Sequence, residues 1–174
     1  MELQGGTVTA ASEGEGRGAT FTVELPAQAI ESAQADDAAT VDDDPHLLRG
    51  LRVLVVDDDE DARELAVMML SARGADVVVA GSAIEALERV KALRPDVLVC
   101  DIGMPEMDGY SLMREVRALS ASDGGDTPAI AVTGFSRRED LTQAEAAGFA
   151  AHIAKPVDLS TMARAVAEVT KRRG

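Results

Sequence analysis

The sequence predicts an α/β domain built on a five-stranded parallel sheet and preceded by a smaller amino-terminal segment. Two observations predict this fold class. From residue 51 onward, short apolar runs alternate with helical patterns five times, which is typical of successive strand–helix–strand units. Four of the apolar runs also end on a polar residue, as expected where parallel strands bring their carboxyl ends to one edge of a sheet.

The predicted strands are short and mostly rich in valine or alanine. They span residues 52–56, 76–79, 96–100, 129–132 and 149–153. Right-handed crossovers between parallel strands favour helices on both faces of the sheet. A flavodoxin-like, doubly wound sheet with strand order 2-1-3-4-5 is a common solution for five such strands. It leaves the second strand at an edge, and this strand alone ends without a polar side chain, at Ala80 and Gly81.

Apolar residues at helical spacing predict the helices, and we assign these residues to the core. The first helix has Ala62, Leu65, Ala66, Met69 and Leu70, and the second has Ile84, Leu87 and Val90. The third has Leu112, Met113 and Val116, and the last has Leu159, Met162, Ala163, Val166 and Val169. Residues 137–147 form an alanine-rich helix with Leu141 as its large apolar residue.

Composition limits the classes of function. Of the 174 residues, 46% are apolar, which is enough for one ordinary core. Acidic residues outnumber basic ones 31 to 17 and aromatic residues make up 2% of the chain, which disfavours nucleic acid as a partner. The single cysteine, Cys100, fits a buried core residue in a reducing compartment. No apolar stretch approaches the roughly 20 residues that span a bilayer, so we expect a cytoplasmic chain without membrane contact.

The first 50 residues differ in composition from the rest. Residues 27–50 are rich in alanine, aspartate, glutamine and serine, have little to bury, and predict an acidic flexible linker. Residues 1–26 predict a hairpin or a disordered appendage, with one β-type run at 7–10 and alternation at 21–25 after a glycine-rich loop. The folded domain is predicted to span residues 51–174.

Carboxylates follow two of the predicted strands directly. Asp57 and Asp58 leave the sheet at the end of the first strand, and Asp101 ends the third. Mg²⁺ keeps several waters and needs few carboxylates, so these three side chains suit it. A calcium loop starting at Asp57 is excluded, because Ala62 and Met68 occupy the positions that require glycine and glutamate.

A hydroxyl and an ammonium group follow the fourth and fifth strands, at Thr133 and Lys155. In isolation Thr133 could be an ordinary strand residue and Lys155 a surface charge. Their shared position at strand ends favours a functional role instead. Together with the carboxylates they predict a site that holds a small hard cation beside a phosphoryl group.

Four motifs, taken in order, resemble the receiver domains of bacterial two-component response regulators. They are Val-Val-Asp57-Asp58-Asp59-Glu60, Asp101-Ile-Gly-Met-Pro105-Glu-Met-Asp108-Gly109, Val-Thr133-Gly134 and Lys155-Pro156. Each motif alone is weak, but the ordered set across residues 51–174 is specific.

The resemblance implies a phosphoacceptor domain of two-component signal transduction. It implies that Asp101 attacks the phosphorus of a phosphohistidine on a partner kinase and forms an aspartyl phosphate, which is then passed on or hydrolysed. The implied Mg²⁺ ligands are the side chains of Asp58 and Asp101, the side chain of Asp57 acting through water, and the backbone carbonyl of Gly103. Thr133 and Lys155 are implied to contact phosphoryl oxygens.

Two further features are implied near the fifth strand. His152 stands at the position of a switch residue that turns inward when Thr133 engages phosphate, although a plain surface role for His152 stays open. The Lys155–Pro156 bond is implied to be cis, an arrangement largely confined to proline.

The amino-terminal segment resembles the closing strands of a histidine kinase ATPase domain. The similarity rests on Leu-Gln-Gly-Gly-Thr, Ser-Glu-Gly-Glu-Gly-Arg-Gly-Ala-Thr-Phe and Leu-Pro within residues 3–26. It implies the carboxyl-terminal receiver of a hybrid histidine kinase, which is no independent enzyme beyond its own aspartyl phosphorylation and dephosphorylation. The implied partners are a histidine kinase phosphodonor, a histidine phosphotransfer protein, or both.

Two other function classes compete with this one. A Mg²⁺-dependent phosphohydrolase of the haloacid dehalogenase type also uses a strand-end aspartate, but it needs a second aspartate where Gly103 stands. Turnover of external phosphate esters would favour it. A pseudo-receiver that only binds partners is disfavoured by the intact acidic pair, Thr133 and Lys155.

Overall fold

The structure, a computed structural model, describes residues 7–11, 18, 20–24, 44–134 and 138–171. The chain divides into two compact units, residues 1–37 and residues 38–174. In the first unit, strand β1 (Thr7–Ala11) pairs antiparallel with strand β2 (Thr20–Glu24), which confirms the predicted hairpin. The segment that joins these strands at 12–17 and most of the predicted linker, residues 27–43, lie outside the described residues.

The second unit is a parallel sheet with helices on both faces. Its strands are β3 (Arg52–Val56), β4 (Asp76–Ala80), β5 (Val97–Asp101), β6 (Ala129–Thr133) and β7 (Ala151–Ala154). Its helices are α1 (Glu60–Ser71), α2 (Ala83–Leu93), α3 (Gly109–Ala118), α4 (Arg138–Ala147) and α5 (Leu159–Lys171), with a 3₁₀ turn at Ala121–Asp123. The strand order β4-β3-β5-β6-β7 confirms the predicted 2-1-3-4-5 topology.

Strand register aligns the carboxyl ends that carry the polar residues. Val56 pairs with Cys100, and Asp101 pairs with Val132. Thr133 in turn pairs with Ala154. The residues at or just after these strand ends therefore share one edge of the sheet, as the sequence predicted.

The sheet separates two hydrophobic cores. Leu54, Leu98 and Met113 belong to the core under α2, α3 and α4, whereas Val53 and Val99 belong to the core under α1 and α5. Neighbouring residues of a strand point to opposite faces, so the buried central strands supply both cores at once. Among the helices described, none is long and apolar enough to cross a membrane.

Two residues assigned to the core from helical spacing are exposed, so that assignment was wrong. Leu65 on α1 is 47% exposed and Ile84 on α2 is 56% exposed. The buried stripe of α1 contains Ala66 and Leu70, and α2 buries a similarly narrow stripe of small residues and Val90. Spacing indicates which residues share a helix face, but the neighbouring elements decide how wide a stripe is covered.

The last strand begins two residues later than predicted, at Ala151. Phe149 and Gly148 instead close α4, because the Phe149 amide donates to the Ala144 carbonyl and the Gly148 amide donates to the Glu145 carbonyl. This pair of bonds is a Schellman motif, and Gly148 has the positive φ of 100° that the motif requires. The Phe149 ring is buried and meets Tyr110 edge-on.

The packed domain extends amino-terminal to the predicted boundary at residue 51. Leu48 is fully buried in the core beneath α1 and α5, and its amide donates a 2.9 Å hydrogen bond to the Arg73 carbonyl. The Arg73 side chain donates to the Asp44 carbonyl. Residues 44–50, at the end of the predicted linker, thus pack against the folded domain.

Candidate functional site

The acidic pair follows β3 with the geometry of a helix entry. Asp57 is buried and Asp58 is exposed. Asp59 caps α1, since its carboxylate accepts from the amides of Asp61 and Ala62. The Asp59 amide in turn donates a 3.0 Å hydrogen bond to Asp57 Oδ1. The capped helix start therefore fixes the Asp57 side chain beside the sheet edge.

An ammonium group joins the carboxylates of two strands. Lys155 Nζ lies 3.1 Å from Asp57 Oδ2 and 3.1 Å from Asp101 Oδ1. Burial lowers the pKa of Lys155, but hydrogen bonds and attraction from Asp57 and Asp101 outweigh that effect and raise its pKa overall. Lys155 is therefore a cation at neutral pH, and it offsets part of the repulsion between the buried carboxylates.

Asp101 is buried at the end of β5, and its carbonyl contacts the preceding side chain. The thiol of Cys100 donates to the Asp101 carbonyl oxygen at 3.0 Å. Cys100 is buried, as predicted, and burial together with the charges of Asp101, Asp57 and Asp108 raises the pKa of its thiol. The thiol therefore stays protonated and acts as a hydrogen-bond donor.

The three aspartates form a group that suits a hard cation. Asp57, Asp58 and Asp101 each offer a carboxylate oxygen, and these oxygens lie within 4.8 Å of one another. An all-oxygen donor set with few carboxylates is what Mg²⁺ takes in proteins. The donor set therefore fits the ion that the sequence predicted.

The remaining predicted residues lie at the same edge, with one exception. Thr133 is buried at the end of β6, and its carbonyl accepts a 2.8 Å hydrogen bond from the Lys155 amide. Gly103 is adjacent to the site, since a Cβ there would lie 3.7 Å from Asp101 Oδ2. His152 is exposed and lies within β7, two residues before its carboxyl end and paired with Ala131. The Lys155–Pro156 bond is cis, as the resemblance implied.

Residues 53–167 match the family model of the response regulator receiver domain. The chain belongs to this family. The matched region is a receiver domain and not a kinase catalytic core, and it contains the whole carboxylate group together with Thr133 and Lys155.

Two curated relatives show how this receiver domain occurs in other chains. An uncharacterised 14.6 kDa protein of Leptolyngbya boryana is 44% identical over 119 residues, which are 68% of this chain and 89% of that protein. Sensor kinase CckA of Brucella abortus is 33% identical over 181 aligned residues, which are 99% of this chain and 18% of the kinase. The chain thus spans less than a fifth of the length of that kinase.

A solved receiver domain has the same fold. The receiver domain of a sensor histidine kinase from Pseudomonas aeruginosa is 28% identical, with a TM-score of 0.64, over 70% of this chain and 98% of that one. That crystal structure has a magnesium ion coordinated in its active-site cleft.

From the sequence, Gly109 in the second receiver motif is expected to shape the loop and to start the next helix, with no chemical role. The structure confirms that α3 begins at Gly109, with Asp108 as its cap, but it also shows a close backbone approach. A Cβ at residue 109 would lie 2.5 Å from the carbonyl oxygen of Asp101. Only glycine fits against the backbone of Asp101 without moving it.

Gly109→Ala is therefore expected to destabilise the receiver domain by about 1–3 kcal/mol, the usual cost of overpacking. Urea unfolding followed by circular dichroism measures this change. Gly134→Ala is the matched control, because a Cβ at residue 134 would meet nothing within 4 Å. Equal stabilities of the two variants would contradict the steric argument.

Proposed function

We propose that the chain is a phosphoacceptor module in which Asp101 takes a phosphoryl group from a phosphohistidine and passes it on or loses it to water. One observation carries the proposal: the Asp101 carboxylate lies beside two further carboxylates and 3.1 Å from an ammonium group at the carboxyl edge of the sheet. A nucleophile set among groups that neutralise charge is what phosphoryl transfer asks of a protein.

The proposed step is a displacement at phosphorus. A carboxylate oxygen of Asp101 forms the new O–P bond, the P–N bond to the donor imidazole breaks, and the imidazole nitrogen keeps the electron pair. In the return step, water attacks the phosphorus and the Asp101 carboxylate leaves. Because both steps occur on a side chain of this chain, the module changes its own state and is no independent enzyme.

The side chains of Asp57, Asp58 and Asp101 and the carbonyl of Gly103 would hold Mg²⁺. When bound, the ion would supply positive charge for the phosphoryl oxygens and offset the repulsion among the carboxylates. Lys155 supplies a second positive charge, and its bridge between Asp57 and Asp101 supports this role. The Thr133 hydroxyl would donate to a phosphoryl oxygen. His152 on β7 would be the switch residue that turns inward when Thr133 makes this contact.

The partners proposed for the module are a histidine kinase phosphodonor, a histidine phosphotransfer protein, or both. The alignment with sensor kinase CckA covers 99% of this chain, including its amino-terminal unit. That alignment and the β1–β2 hairpin support a parent protein in which residues 1–26 end an ATPase domain and a linker joins them to the receiver. A cytoplasmic location follows from such partners.

Intact mass spectrometry tests the proposal directly. Incubation with acetyl phosphate and Mg²⁺ is expected to add the mass of one phosphoryl group, and hydroxylamine, which cleaves acyl phosphates, should remove it. Omission of Mg²⁺ should suppress the gain. If no mass is gained under any of these conditions, the proposed function is wrong.

Asp58→Ala is expected to weaken Mg²⁺ binding by at least about tenfold, because it removes one oxygen donor of the group. Isothermal titration calorimetry measures the affinity. The fold should persist, since Asp58 is exposed.

Asp61→Ala is the matched control for this variant. It removes the same charge from the first turn of α1, at an exposed residue that is not one of the clustered carboxylates. An equal loss of affinity in both variants would mean that only the overall charge attracts the cation, and would contradict direct coordination by Asp58.

A further inference from the structure

A guanidinium group from α1 contacts the backbone of the acidic pair. Arg63 Nη1 donates a 2.8 Å hydrogen bond to the carbonyl oxygen of Asp57, and the contact is partly buried. Arg63 lies in the first turns of α1, within a run of charged residues. None of the four receiver motifs contains it.

The carbonyl that accepts this bond belongs to the peptide group between Asp57 and Asp58. A peptide group is planar, so its orientation fixes how the two neighbouring Cα atoms are placed and restricts the directions of both side chains. Both side chains belong to the carboxylate group. A hydrogen-bond donor on this carbonyl oxygen therefore constrains two of the three carboxylates in the group.

The other contacts of Asp57 reach its amide and its carboxylate. The Asp57 amide donates to the Ala80 carbonyl at 3.3 Å, and the carboxylate accepts from the Asp59 amide and from Lys155. These bonds fix the amino side and the side chain of Asp57. The bond from the Asp59 amide to Asp57 Oδ1 also limits rotation about the Asp57 Cα–C bond. The Arg63 contact adds a restraint made directly on the carbonyl oxygen that this rotation moves.

Arg63 lies against the β4–α2 loop. Its guanidinium lies over Gly81, where a Cβ would sit 3.5 Å from Arg63 Nη1. The amide of Gly81 donates to Glu85 Oε2 at 2.8 Å, and Arg89 pairs with Glu85 Oε1 at 2.6 Å. The Gly81 amide and Arg89, with a smaller attraction from Arg63, lower the pKa of Glu85. The carboxylate of Glu85 is thus ionised near the guanidinium.

We propose that Arg63 is a positioning residue for the cation site, acting through the peptide group that joins Asp57 to Asp58. The inference rests on the proposed function, since it concerns the same carboxylate group. It adds a residue that makes no contact with the cation or the phosphoryl group and yet sets the affinity for the cation.

The direction in which the Mg²⁺ affinity changes when Arg63 is replaced separates a positioning role from a purely electrostatic one. A guanidinium close to a cation site repels the cation, so removing its charge should tighten Mg²⁺ binding if charge is all that matters. If Arg63 orients the ligands, removing it should weaken binding, as the loss of outer-shell partners does in other metal sites. The two roles predict opposite changes.

Arg63→Met keeps the apolar stem and removes the donor. We expect its Mg²⁺ dissociation constant by calorimetry to rise about tenfold. In the metal-free protein we expect the Asp59 amide to lose protection from hydrogen exchange, because its acceptor on Asp57 is no longer fixed. Arg63→Lys carries a donor for the single bond to the Asp57 carbonyl, so it should restore most of the affinity.

Arg89→Met is the matched control. It removes the same charge from the same network, but the contacts of Arg89 reach Glu85 and not Asp57, so the affinity should stay within about twofold of the parent. Unchanged or tighter binding by Arg63→Met, in a parent protein that binds Mg²⁺ and is phosphorylated, would overturn the inference and leave the proposed function standing. A parent that neither binds Mg²⁺ nor gains the phosphoryl mass would instead overturn the proposed function.

Arg63→Gln covers the case in which Arg63→Met does not fold. Its amide is two heavy atoms shorter than the guanidinium and does not reach the Asp57 carbonyl, so the same weakening is expected. If neither variant folds, Arg63 is required by the fold as a whole, and a specific positioning role is refuted.

Discussion

Asp101→Asn is expected to abolish phosphorylation by acetyl phosphate in the presence of Mg²⁺. The amide that replaces the carboxylate is a far weaker nucleophile, and the charge that attracts Lys155 at 3.1 Å is lost. The substitution is nearly isosteric, so the buried end of β5 should keep its packing. Intact mass after treatment with the phosphodonor measures the effect, and peptide mapping of the parent protein locates the modified residue.

Asp108→Asn is the control for this prediction. Asp108 caps α3 a few residues after Asp101, and its side chain accepts from the Ser111 amide. Asparagine is also a good cap, so this variant should keep both the fold and the mass gain. Phosphorylation of Asp101→Asn to the level of the parent protein would defeat the assignment of Asp101 as the acceptor.

Leu48→Ala is expected to lower the free energy of unfolding by about 2–5 kcal/mol, the range for removing a large buried aliphatic side chain. Leu48 has no exposed surface and belongs to the core that also contains Val53 and Val166. The loss combines the transfer free energy of the deleted groups with the cavity that remains. Urea unfolding followed by circular dichroism gives the value.

Leu47→Ala is the neighbouring control. Leu47 is only partly buried against the same core, so its truncation should cost clearly less than that of Leu48. Similar and small losses for both variants would mean that residues 44–50 do not pack stably on the domain. A large loss at Leu48 alone would establish that this segment is part of the receiver.

The elements most easily predicted were those whose burial is unambiguous. β3 was predicted with its observed bounds, because a short valine-rich run between charged residues fits a strand buried on both faces. The fifth strand was placed too early, because Phe149 is apolar like a strand residue although it caps α4. Local composition does not distinguish an apolar helix cap from the start of the next strand.

The exposed residues of α1 and α2 show a second limit of prediction from the sequence, which concerns burial. Helical periodicity assigned Leu65 and Ile84 to the core, but it gave no measure of how much of each helix face the neighbouring elements cover. Leu65 and Ile84 are exposed, whereas Ala66 on α1 and Val90 on α2 are buried. The width of such a stripe depends on neighbouring elements that lie far away in the sequence.

The residues at and around the candidate site likewise include some that the sequence predicted and some that it did not. Asp57, Asp58, Asp101, Thr133 and Lys155 were found because polar residues at strand ends must share one edge once the strands are parallel. Arg63 and Leu48 were missed. A charged residue early in a helix usually faces solvent, and an apolar residue after an acidic segment usually belongs to a linker.

The sequence by itself determined the fold class, the strand order and the set of side chains at the carboxyl edge, because alternation and strand-end chemistry are local signals. Only the tertiary structure decided what surrounds that set: the guanidinium of Arg63 lies on the Asp57 carbonyl, and Gly109 leaves room beside the Asp101 backbone. It also decided that Leu48 is buried in the core. Each of these features depends on contacts between residues that are not neighbours in the sequence. Such contacts depend on how elements pack, and no local pattern encodes them.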